Sequence, residues 1–266
     1  MKKNKYLEIS KITFKTQLSW RFDIAVNVVF TVSKILFAYI LWNGIFSHRS
    51  TIAGFTFDSM LSYYIINSFF SQMDMSDGVS GEISTRIRQG TFSKYMVVPV
   101  NIQGYFLAQT AGASLFYLLF NFAAAVIWIF VFRISFIFTT DPRYISAALL
   151  LVLLGLVFMI QLNYFLGLLT LKFQDIYLFL MIKSNIISFI AGTLVPLALL
   201  PQPVLQTMRY FPFYYISYLP SMLLIGRNGA EAGLGLGILT AWILFFLLVN
   251  RITYERLRIR YDGVGI

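Results

Sequence analysis

The chain has 266 residues, of which 58% are hydrophobic, 18% aromatic and only 12% charged. Soluble domains carry about 25% charged residues, so this composition excludes a water-soluble globule, a disordered tail and a disulfide-stapled secreted scaffold. With no cysteine and a single histidine, His48, the chain offers no disulfide, thiolate metal site or histidine-rich metal site, and its net charge of +10 suits anionic lipid headgroups better than nucleic acid.

A helix crosses a hydrocarbon core about 30 Å thick in about 20 apolar residues. Residues 1–23 precede the first such stretch and mix basic side chains with Leu7, Ile12, Phe14, Leu18, Trp20 and Phe22. Two readings are open here: a helix lying on the membrane face, or a basic tail that sets topology. The apolar positions form no single stripe at helical spacing. No small-x-small cleavage site follows, so the first span is expected to be retained.

Six stretches qualify as spans, at 24–46, 58–73, 104–132, 144–170, 176–200 and 232–250. The pattern predicts an all-α polytopic membrane protein with six transmembrane helices over 24–250 and a tail at 251–266. An even count puts both termini on one side. Their side carries Lys2, Lys3, Lys5, Lys11, Lys15, Arg21, Arg86, Arg88, Lys94, Lys172, Arg251, Arg256, Arg258 and Arg260, against Arg49, Arg133, Arg143, Arg209 and Arg227 opposite. The positive-inside bias predicts a cell-membrane protein with both termini in the cytoplasm.

Lys34 lies ten residues into the first span, about 15 Å deep, where a charge costs at least about 2.5–3.5 kcal/mol. It either lines a pathway or binds an anionic lipid or substrate group, or it faces a protein partner or snorkels. The second span is short and polar, with Tyr63, Asn67 and Ser71 among its residues, and is expected to face protein or a pathway. In the fifth span, Asn185 and Ser188 recur at helical spacing, and pathway lining competes with plain interhelical hydrogen bonding. Lys183, near the start of that span, is expected to snorkel to the headgroups.

Between spans two and three, residues 74–103 are too patterned for a linker. Ser80 and Ser84 are candidate caps of a short helix through Ile83, Arg86 and Ile87, which Gly90 ends; Pro99 breaks the chain before span three. Residues 201–226 are too broken by proline to span and too apolar for a free loop. Short re-entrant helices that gate an exit and a simple interfacial aromatic belt both fit.

No P-loop is present, and Gly233-Leu-Gly235-Leu-Gly237 opens an apolar span with no lysine after it, which suits close helix approach. No catalytic or metal-ligating constellation is visible.

The loop resembles that of ABC-2 type permeases of ATP-binding-cassette exporters. The family reads Glu, a basic stretch, Gly-Thr, an apolar cluster and Pro; here these are Glu82, Arg86 and Arg88, Gly90-Thr91, Met96 to Val98 and Pro99. The late pattern is similar too, with Gly192, Pro196, Pro201, Phe211-Pro212-Phe213-Tyr214-Tyr215 and Pro220. Within the family it looks most like the branch in which two different permeases serve one transporter, associated with viologen or drug export.

The resemblance implies a type V exporter-like permease fold that binds no cofactor itself. ATP and Mg would be held by partner ATPase subunits, and a second permease, identical or paralogous, would complete the membrane unit. Glu82, Ile83, Arg86, Ile87, Arg88, Gly90 and Thr91 would couple to the ATPase. Lys34, Tyr63, Asn67, Ser71, Asn185 and Ser188 would line the pathway or the permease interface, and Pro212, Tyr214 and Tyr215 would gate the exit. The loop also reads as a solvated connection whose charges only satisfy topology. Competing functions are an intramembrane lipid-modifying enzyme, which would need clustered carboxylates or histidines near one interface, and an ion-coupled carrier, which would prefer acids within spans and inverted repeats.

Overall fold

The structure is a computed structural model and describes residues 4–19, 21–97, 100–131, 133–190, 192 and 197–261. Val98, Pro99 and Pro196, to which the sequence pattern assigns roles, lie outside the described residues. Regular structure among the described residues is helical, apart from one isolated bridge between Ile52 and Phe55.

Among the described residues, four helices contain stretches long and apolar enough to cross a membrane. They are α2 (Arg21–Phe46), α6 (Ile102–Val131), α7 (Pro142–Leu168) and α12 (Ala232–Leu257). Two expected spans are shorter. α3 (Phe57–Met73) has 17 residues and opens with a reciprocal capping box between Thr56 and Ser59. α9 (Tyr177–Ile190) has 14 residues, about 21 Å at 1.5 Å per residue, rather than the expected 176–200. It stops just before Gly192, whose φ of +70° is left-handed and incompatible with continuing the helix. The sixth helix runs past the expected boundary at 250, so the predicted tail begins as helix.

α1 (Lys5–Gln17) packs along α6. The Phe14 ring meets Phe116 edge-on at 5.4 Å, and Tyr6 lies against Gly104. Its packed side reads Tyr6, Ile9, Ser10, Thr13, Phe14 and Gln17, a helical stripe of mixed polarity. A search for an apolar stripe misses it because the aliphatic residues Leu7 and Ile12 are the exposed ones.

The helices form two groups. α2, α3 and α6 pack together, and Thr31 donates to Gln72 and to Asn121 between them. α7 is the centre of the other group, which also holds α4 (Asp77–Arg88), α11 (Tyr218–Leu224) and α12. Asp141 caps α7 by accepting from the Arg143 N–H at 2.8 Å, with Pro142 opening the helix. The buried Asn250 of α12 donates to Gln161 of α7 at 2.7 Å. A second, smaller core surrounds α4 and includes Ile83, Ile87, Phe92, Phe106, Tyr164 and Leu168; the short α5 (Ser93–Val97) follows α4, and the short α8 (Thr170–Phe173) follows α7.

The broken segment after α9 folds as α10 (Gln202–Met208), a 3-10 turn (Pro212–Tyr215) and α11. Tyr214, Tyr215 and Tyr218 are buried. These rings are packing elements inside the bundle, which the aromatic-belt reading does not describe.

Candidate coupling and translocation site

α4 begins at Asp77, three residues before the expected cap at Ser80. Ser80 and Ser84 therefore lie inside the helix and cap nothing; the Ser80 hydroxyl donates back to Asp77 O at 3.0 Å. The turn into the helix is held by Asp74, whose Oδ1 accepts from the Ser76 N–H at 2.9 Å. Burial raises the Asp74 carboxyl above its ordinary pKa, and the Ser76 hydrogen bonds oppose that shift. At the other end, Gly90 has φ +70°. The Thr91 N–H donates to Arg86 O at 2.9 Å and the Gly90 N–H to Ile87 O at 3.1 Å, a Schellman closure.

The spacing of Val79, Ile83 and Ile87 puts three aliphatic side chains on one face, and all three are buried. That face grips α7. A Cβ added at Gly167 would stand 2.9 Å from the Ile83 Cβ, so glycine is what lets the two helices approach this closely.

Glu82 is an internal hub. Its Oε1 accepts from Arg86 at 2.9 Å and from the Tyr95 hydroxyl at 2.5 Å, and its Oε2 accepts from Gln109 of α6 at 3.1 Å. The Arg86 guanidinium also lies 5.1 Å from the centroid of the Tyr95 ring. Burial, and then the bond to Glu82, raises the Tyr95 phenol far above its ordinary range and keeps it a donor.

The first turn of α4 reaches α9. Lys183 Nζ donates to Asp77 Oδ1 at 2.6 Å and to Asn163 Oδ1 at 2.8 Å. Asn163 of α7 donates in turn to Ser76 Oγ at 2.8 Å and to Asp77 at 3.3 Å. The lysine side chain is 8% exposed and the aspartate 72%. The expected snorkelling is corrected by this pair: the ammonium has a carboxylate of its own chain within reach. Sequence reasoning missed it by searching for acids only within spans.

What remains open on α4 is a stripe of Gly78, Gly81, Thr85, Arg88 and Gln89, with empty space where Cβ atoms at the two glycines would point.

A cavity of about 260 Å³ lies beside this network. Lys34, Ser71, Asp74, Asp77, Lys183 and Ser188 are among its lining residues. A neighbouring groove of about 460 Å³ between α2 and α3 shares Lys34 and Ser71 and includes Phe37, Leu41, Trp42 and Asn67.

At the opposite end of the bundle, Arg209 and Glu231 pair at 2.7 Å. Tyr214 donates to Glu231 Oε2 at 2.8 Å, and Tyr215 donates to Arg209 O at 2.8 Å.

Residues 32–265 match the family model described as ABC-2 family transporter protein. The chain belongs to the ABC-2 transporter family. No curated protein matches it at a significant level. The chain is thus a membrane permease component of an ABC transporter. Permeases of this family are normally non-catalytic and work with ABC ATPase subunits. The family does not favour a lipid-modifying enzyme or an ion-coupled carrier.

In this ABC-2 permease the residues expected to couple fall into four classes. Ile83 and Ile87 face inward, Glu82 and Arg86 satisfy each other, and Arg88 is exposed. Gly90 and Thr91 form the helix end. Among the expected pathway residues, Lys34, Ser71 and Ser188 meet at one cavity and Asn67 joins at the groove. Tyr63 is fully buried and donates to Gly192 O at 3.2 Å. Asn185 stands apart on the exposed face of α9, between Ile182 and Phe189. The expected gate residues Pro212, Tyr214 and Tyr215 are all buried.

Proposed function

We propose that this chain is the permease subunit of an ATP-driven exporter in the bacterial cytoplasmic membrane, with both termini in the cytoplasm and α4 as the element on which the ATPase acts. The observation that carries this is the division of α4 into two faces. One face is bonded into the permease, through Ile83 against α7, Asp77 to α9 and Glu82 to α6. The other face is open, with glycine at positions 78 and 81 and the exposed Arg88 and Gln89 at its far end.

An ATPase closing on ATP and Mg would press on the open stripe. The bonded face would carry that displacement into three helices at once, because packed interfaces move between discrete arrangements rather than deforming smoothly. Arg88 is positioned to supply a charge-assisted contact to the partner. A second permease, identical or paralogous, would cover the exposed face of α9, where Asn185 otherwise meets lipid tails at a cost. The 201–226 segment would close the outer end, and the charged side of α1 (Lys5, Lys11 and Lys15) would meet lipid headgroups.

The test is co-purification. The wild-type chain should bring down an ATPase subunit with it. A Gly81→Trp variant, which fills the open stripe without touching the packed face, should lose that subunit yet keep its elution profile. Retention of the ATPase by Gly81→Trp would remove α4 as the docking element.

A further inference from the structure

The two cavities around Lys34 bear on what is moved. Four charged residues line them: Lys34, Asp74, Asp77 and Lys183. Asp77 and Lys183 neutralise each other at 2.6 Å. Asp74 is engaged by Ser76, and its burial favours the neutral form. Lys34 is the charge left without an ion-pair partner among the described residues, and its side chain opens to both spaces.

Its depth matters. Within the apolar stretch Val28–Phe46 of α2, Lys34 is six residues from Val28 and twelve from Phe46, about 9 Å and about 18 Å. Its stem can reach from there toward the nearer interface, so the ammonium meets a negative group just beneath the headgroup layer.

The groove above Lys34 is two-sided. From α2 it receives Phe37, Leu41 and Trp42, whereas α3 contributes Asn67 and Ser71. At about 460 Å³ it is of the size that holds a small amphiphilic molecule. Lys34 and Ser71 mark one end of the groove, and from there an apolar wall extends along α2 opposite the polar wall of α3.

We propose that this groove receives the cargo, and that the cargo is an anionic amphiphile whose negative group pairs with Lys34 while its apolar body lies along Phe37 and Leu41. The proposal rests on the permease reading and names the substrate class for it. Charge complementarity selects an anion over a cation. The apolar wall selects an amphiphile over a free inorganic anion, because a bare anion would leave Phe37, Leu41 and Trp42 facing empty space.

The experiment is fluorescence titration of the purified full chain in a non-ionic maltoside detergent, with 11-(dansylamino)undecanoate as probe and its methyl ester as the neutral counterpart. The acid should bind saturably and about tenfold or more tightly than the ester. Lys34→Met should bind the acid as weakly as the ester, and Lys34→Arg should restore the preference. Equal binding of acid and ester by the wild-type chain would overturn the proposal without recourse to any variant. So would unchanged acid binding in Lys34→Met, or an absence of saturable binding, as expected if a second permease fills the groove. Mass spectrometry of the purified chain separates cargo from a resident lipid: a stoichiometric anionic phospholipid lost in Lys34→Met would make this a lipid-holding site and overturn the cargo assignment. None of these measurements needs the ATPase, so failure here is distinct from failure of co-purification.

Discussion

Lys183 and Asp77, 106 residues apart in sequence, meet at 2.6 Å and join the open turn of α4 to the buried side of α9. The pair is asymmetric: the ammonium is enclosed and the carboxylate is largely open. The two partners therefore differ in what their loss leaves behind.

Removing the carboxylate strands a buried cation, whereas removing the cation leaves an aspartate that water can reach. Asp77→Ala should therefore destabilise the chain by about 2–3 kcal/mol and Lys183→Met by about 1 kcal/mol or less. The double variant should be less damaged than the sum of the singles, because the stranded charge is gone. Thermal unfolding of the four proteins in detergent gives the cycle. A larger loss for Lys183→Met than for Asp77→Ala would contradict the asymmetry.

Glu82 and Arg88 separate stability from docking. Glu82 holds Arg86, Tyr95 and Gln109. Glu82→Ala should cost about 2–3 kcal/mol, since it leaves buried donors unsatisfied. Arg88 makes no hydrogen bond or ion pair among the described residues but sits in the last turn of α4, where a cation is favoured, so Arg88→Glu should cost only about 1 kcal/mol while weakening capture of the ATPase. Unfolding curves and co-purification read the two effects separately. A stable Glu82→Ala protein that merely fails to bind the ATPase would return Glu82 to the docking surface.

The close approach of Ile83 to Gly167 yields a compensation test. Gly167→Ala places a methyl group where Ile83 sits and should destabilise by about 1–3 kcal/mol. Ile83→Val in that background should recover part of the loss, although alone it costs about 0.5–1.5 kcal/mol. Additive losses in the double variant would mean that the two side chains do not share the space.

These comparisons also show what was legible in the sequence. The long spans follow from composition, because an apolar run of twenty or more residues has few other solutions. The end of α4 at Gly90 was readable from the residue type. Its packing was not: Glu82, Ile83 and Arg86 read as outward-facing charges and spacers until Gly167, Gln109 and Tyr95 come into contact with them. α9 was misjudged for a local reason. Hydropathy continues past Ile190, whereas the backbone turns at Gly192, and a hydropathy window does not register a left-handed residue. The Asp77–Lys183 pair was hidden because only tertiary packing brings a loop carboxylate to a span.

The far end of the bundle carries the last expectation. Arg209, Glu231 and Tyr214 form one connected set, in which Glu231 Oε1 also accepts from Asn228 at 2.8 Å. This set ties the turn at Pro212–Tyr215 to the start of α12. Tyr214→Phe removes one charge-assisted hydrogen bond and should cost about 1.5–3 kcal/mol, whereas Glu231→Ala leaves Arg209, Asn228 and Tyr214 together without their acceptor and should cost more. If the 201–226 segment closes the exit, Glu231→Ala should also raise passive leakage of a small dye from sealed vesicles carrying the protein, with α4 and ATPase capture unaffected. Loss of stability without leakage would leave the cluster as a structural clasp and place the closure elsewhere.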